Sequence, residues 1–138
     1  MKTEIITTFP PGLYYVGDLC YLIQDRDQWS AVCNAIANTW CGTVNLPEHG
    51  IQAWFSSTKW GDGTYRDQFG REYEVDAGLI GVCAVKDTTP VRGGHILAFD
   101  RPFECFGYDS DDWDGEIMIG ELRIDTDPEC DVDEEEEE

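Results

Sequence analysis

The chain has 138 residues and a formal net charge of −20, from 29 acidic against 9 basic side chains. A surface of that sign repels nucleic-acid phosphates and anionic membranes, and it attracts basic proteins and cations. Apolar content of 41%, including 12% aromatic residues, excludes a wholly disordered chain and suffices for one domain core, since each aromatic buries roughly 150–250 Å².

Residues 1–6 lack the 7–15-residue apolar stretch of a secretory signal, and no segment approaches the ~20 apolar residues of a membrane span. A cytoplasmic location is therefore expected. Pro10, Pro11 and Gly12 read as a turn, and residues 13–16 as a strand. Gly17 and Asp18 break it, and residues 19–23 resume as a second extended piece. A helix is expected over 25–39. Asp25 caps it, Gln28 completes a capping-box-like pattern, and Trp29, Val32, Cys33, Ile36 and Trp40 form its apolar stripe. Gly42 stops it.

After Gly42 the pattern is that of β-structure. Residues 51–55, 64–65, 72–76, 95–99 and 103–106 read as strands, with turns at 61–63 and 68–70. Residues 79–85 are apolar on both faces, which predicts a central strand. Residues 116–124 read as one long closing strand. The expected class is α+β, mainly antiparallel sheet or a small β-barrel, with one early amphipathic helix.

The acidic residues are concentrated in two runs. Residues 125–138 hold ten carboxylates and no base, with one aliphatic side chain, Val132. Such a segment buries too little to offset its ordering entropy, so residues 1–124 are read as the folded domain and 125–138 as a disordered acidic tail. The second run, 109–116, contributes Asp109, Asp111, Asp112, Asp114 and Glu116 around Trp113.

Within 110–121, Asp112, Asp114, Gly115 and Glu121 fall at positions 3, 5, 6 and 12 of a calcium-binding loop begun at Ser110. Asp112, Asp114 and Glu121 are therefore candidate ligands for a divalent cation, set against an acidic hairpin loop. Asp18, Asp62, Asp67 and Asp76 are a second candidate carboxylate set, against ordinary turn capping. The six cysteines, Cys20, Cys33, Cys41, Cys83, Cys105 and Cys130, include no CxxC and no zinc-like spacing to His49 or His95. They are read as reduced and mostly buried. Pairs such as Cys83 with His95, or Cys20 with His49, sit in acidic surroundings that would raise a thiol pKa rather than activate it. No phosphate-loop, nucleophile-elbow or HExxH motif occurs.

Two constellations stand out: Tyr14, Gly17, Asp18, Cys20 and Tyr21; then Gly61, Asp62, Gly63 and Tyr65, leading to Val75, Asp76, Gly78, Ile80 and Gly81. In their order, with a Trp-bearing helix between them, they resemble a set of small phage and prophage proteins over about residues 12–85. Where that family often has Pro after the first Gly-Asp, this chain has Leu19. The resemblance implies a source and a fold, and no activity.

The leading reading is a non-enzymatic phage-type protein, acting in the host cytoplasm without a cofactor. It binds a basic host protein, itself nucleic-acid-binding, by imitating nucleic acid, and so blocks a defence or gene-expression factor. Asp109, Asp111, Asp112, Asp114 and Glu116 would supply the charge and Trp113 an aromatic anchor. No direct contact with nucleic acid or membrane is expected, and the oligomeric state is left open. The alternatives are a Ca²⁺-binding accessory protein, or a small enzyme with Asp18, Asp62 and Asp76 in a pocket.

Overall fold

Period-two alternation runs through most of the chain, and the computed structural model, which describes residues 7–37, 39–85, 92–108 and 113–126, resolves it into two antiparallel sheets. The first has six strands in the order β1 (Thr7–Phe9), β9 (Phe103–Phe106), β10 (Glu116–Ile119), β11 (Leu122–Asp125), β5 (Gly63–Asp67) and β6 (Glu72–Val75). The second has five: β3 (Cys41–Leu46), β4 (Ile51–Ser57), β7 (Leu79–Ala84), β2 (Gly12–Gly17) and β8 (His95–Phe99). Neither sheet closes on itself, so the α+β expectation holds and the barrel alternative does not.

The five-stranded sheet is the middle of three layers. Alternate residues of its strands, among them Tyr14, Val16, Trp54, Ile80 and Val82, enter the core shared with the six-stranded sheet. Their neighbours Tyr15, Ala53, Phe55 and Leu79 enter a second core with two helices, α1 (Leu19–Leu22) and α2 (Arg26–Ile36). β7 lies at the centre of its sheet, as its two-faced apolar sequence requires.

Three expected elements differ. Residues 19–22 form helix α1, not a strand: Asp18 is its N-cap and accepts from Cys20 N at 2.9 Å. Leu19 occupies the first helical position, where Pro is also accommodated. Its side chain lies against Gly81, and a Cβ there would stand 2.6 Å from Leu19 Cγ.

Helix α2 begins as expected, with Asp25 accepting from Gln28 N at 3.0 Å, but ends at Ile36. Trp40 has left it because its carbonyl already accepts from Ser57 N at the end of β4. Of the expected stripe only Val32 is buried. Trp29 and Ile36 are half-buried, Cys33 is exposed, and Trp40 is 59% exposed.

The closing strand is a hairpin. Gly120, at φ 62°, and Glu121 turn the chain between β10 and β11. The ladder reaches Asp125 and Thr126 is fully buried, so the fold continues past the expected boundary at 124.

Candidate functional site

The two glycine–aspartate constellations form one knot. Gly17 pairs with Gly81 across β2 and β7. The buried Asp18 carboxylate accepts from Cys20 N, and from Asp76 N (2.7 Å) and Ala77 N (2.6 Å) of the second constellation. Gly93 leaves room for the Tyr21 ring, since a Cβ there would lie 2.2 Å from it. Tyr21 donates to the Asp76 carboxylate, a bond that, with burial, pushes its phenol up to about 12. The Asp18 carboxylate is thus spent on backbone amides. Asp62 and Asp76 do share a shallow depression of about 480 Å³ with Tyr21, Thr64 and Glu74.

Asp67 is likewise structural. It accepts from Phe69 N, Arg71 N, the Arg71 guanidinium and the Tyr73 hydroxyl, fixing the turn between β5 and β6. Burial pushes its carboxyl up, but these donors outweigh burial and hold it below its ordinary value.

Burial raises the thiols of Cys20, Cys33, Cys83 and Cys105 above their ordinary value. The five described cysteines are free of disulfides. Burial, then the Asp18 charge, pushes Cys20 up to about 12. Cys83 and His95 lie two strands apart on opposite faces, as their β2 partners Tyr15 and Val16 show. The His49 side chain lies outside the described residues.

Of the three expected ligands of the metal loop, the two described ones are not brought together. Asp112 lies outside the described residues. Asp114 precedes β10 and folds back onto Glu116 N at 3.0 Å, whereas Glu121 sits at the hairpin tip beyond β10, on the order of 15 Å away at ~3.3 Å per residue. No group of three His, Cys, Asp or Glu side chains able to hold a metal occurs among the described residues.

The acidic surface is where the structure adds most. Asp109, Asp111 and Asp112 lie outside the described residues, but Tyr108 and Trp113, which bracket that segment, meet edge to face at 5.7 Å. Trp113 is buried, 8% exposed, with its indole N–H on Glu116 O at 3.2 Å, so it is a core residue and not the expected surface anchor. Trp40, an exposed ring, lies 5.8 Å from Tyr108. Lys59 Nζ donates to Trp113 O (2.5 Å) while Lys59 N donates to Thr126 Oγ1 (3.0 Å). Thr126 bonds back to Gly115 O through both N–H and hydroxyl.

The two acidic runs, separate in sequence, therefore join the fold at one end of the molecule. Together they hold fifteen of the 29 acidic residues. A row of cross-strand neighbours leads away from that end: Glu116, Asp125, Arg66 and Glu72. Arg66 bonds Glu72 at 2.8 Å. Glu116 opposite Asp125 is a like-charge pair of the kind that destabilises a sheet.

The signal for this pole was the composition alone. Trp40 was missed because the helical period claimed it. No family model matches the chain, nor does any curated protein or solved structure. Among the described residues no helix is long and apolar enough to cross a membrane.

Proposed function

We propose that the chain is a non-enzymatic, acidic interaction protein that uses this pole to bind a basic surface of another protein. The observation that carries the reading is that the described ends of the two acidic runs, at Gly115 and Thr126, are bonded together, with the exposed Trp40 on Tyr108 nearby. Carboxylates on a rigid β-surface imitate phosphates, and a concentrated negative field speeds encounter with a groove built for nucleic acid. In this reading the partner is a basic, nucleic-acid-binding protein. The resemblance to phage and prophage proteins makes it a host protein of the cytoplasm, a defence or gene-expression factor.

The test is capture from bacterial lysate on the immobilised full chain, at low and high salt, followed by elution with duplex DNA. A basic protein retained at low salt and displaced by DNA is the expected result. With that partner in hand, the combined Asp111→Asn, Asp112→Asn and Asp114→Asn variant should associate more slowly and with a flatter salt dependence. Trp40→Ala should chiefly speed dissociation. Binding indifferent to salt and to the triple variant refutes the reading.

A further inference from the structure

A cleft of about 790 Å³ opens at the far end of the β10–β11 hairpin from the acidic pole. That volume is within the roughly 300–1,000 Å³ of ligand-binding clefts. Phe69, Leu97, Phe99, Phe103, Phe106 and Leu122 give it a contiguous apolar lining. Its parts are held in place. Gln68 donates to Glu121 O (2.7 Å) and accepts from Arg123 N (2.8 Å), which ties the β5–β6 turn to the hairpin tip. Gly120 lets that tip approach the rings, since a Cβ there would stand 3.2 Å from Phe103 Cβ and 3.5 Å from the Phe99 ring. Phe99 stacks on the buried Phe103 at 3.9 Å. The Phe69 amide is fixed on Asp67 Oδ1 at 2.8 Å, yet Phe69 is 70% exposed.

Charge selects the ligand. Two guanidiniums line the cleft, each beside a carboxylate: Arg71 is 3.1 Å from Asp67, and Arg101 is 3.7 Å from Asp100. Glu104 and Glu121, both exposed, also line it, and Glu104 accepts a long bond of 3.5 Å from Thr8 Oγ1. The balance is acidic, in a chain of −20, so cations are drawn in and anions are not. The cleft already shows how a cation is received. The Arg71 guanidinium lies over the Phe69 ring, 5.3 Å from its centroid.

We propose that this cleft seats an arginine-bearing segment of the basic partner, with a guanidinium on the other face of Phe69 and its charge met by Glu121 and Glu104. The inference rests on the interaction reading above and adds a second contact to it. Arginine is favoured over lysine because a planar, weakly hydrated guanidinium stacks on a ring face. The cleft lies on the order of 15 Å along β10 from the pole, at ~3.3 Å per residue. An interface of about 800 Å² per partner covers both. The pole draws the partner in, and the cleft holds it.

Amide-resolved NMR titration of the full chain with acetyl-arginine methylamide tests this, with the lysine analogue as control. The arginine probe should move the amides of 68–71 and 120–122 saturably. The lysine probe should bind about two- to fivefold more weakly, the worth of one exposed cation–π contact. Phe69→Ala should abolish that difference, with circular dichroism showing the variant folded, and Glu121→Gln should weaken both probes by a similar factor. Shifts confined to Gly115 and Thr126 place the cation at the pole alone and overturn the inference. So do the absence of saturable shifts, equal affinity for the two probes, or a Phe69→Ala variant that binds as the unaltered chain does. The two ideas fail separately: a basic partner captured in a salt-sensitive way, but released no faster by the Phe69→Ala chain, leaves the interaction reading standing and removes the cleft from it.

Discussion

Replacing Asp18 by Ala removes the tie between the two glycine–aspartate constellations. The carboxylate is fully buried and serves three backbone amides, on Cys20, Asp76 and Ala77. Loss of the N-cap on α1 costs about 1 kcal/mol. Each of the other two amides is left without its charged acceptor, at about 1–3 kcal/mol apiece. Asp76 and Ala77 are themselves exposed, so water recovers part of this, and a total of about 3–4 kcal/mol is expected. That is a large share of the 5–15 kcal/mol typical of a domain. At a urea slope of about 1–3 kcal/mol per molar, the midpoint should fall by roughly 1–4 M. Asp18→Asn keeps one acceptor oxygen and should lose about half as much. Equilibrium urea unfolding followed by tryptophan fluorescence measures both. A loss below about 1 kcal/mol for Asp18→Ala would show that the carboxylate does not hold the two segments together.

Gly81→Ala drives a methyl into Leu19 and to 2.7 Å from Trp54 O, and should cost about 1–3 kcal/mol in a denaturant titration. The Asp67 carboxyl titrates lower folded than unfolded, so its contribution is complete above the unfolded value of 3.8 and fades as pH falls through the folded value. Acid unfolding should therefore begin below the ordinary carboxylate range, and Asp67→Asn should flatten that limb of the stability–pH curve; an unchanged acid limb would contradict the assignment. Trp113→Ala should destabilise by about 3–5 kcal/mol, as loss of a buried aromatic does. Trp40→Ala should leave the melting temperature nearly unchanged while weakening partner capture, so a large loss of stability from Trp40→Ala would remove it from the surface.

What the sequence determined by itself was whatever rests on local periodicity and composition. Two-residue alternation located strands at 72–76 and 103–106. Apolar residues on both faces placed 79–84 at a sheet centre. The Asp25–Gln28 spacing fixed the start of α2 because a cap is made within one turn. The acidic runs needed only counting.

Tertiary contacts decided the rest. Residues 19–22 have a strand-like composition, but Asp18 caps them as a helix and Gly81 leaves room for Leu19, from sixty residues away. Trp40 fits a helical stripe until the Ser57 amide takes its carbonyl. Residues 116–124 read as one strand in sequence, and only the neighbouring strands, with Gly120 free to adopt a positive φ, fold them into a hairpin. Trp113 lies among carboxylates in sequence and inside the core in space, because β10 and Tyr108 carry it inward. The meeting of the described ends of the two acidic runs depends on Thr126 reaching Gly115 and Lys59. Periodicity reports which face of an element is apolar; which residues meet across sixty positions is set by packing, and no local pattern encodes it.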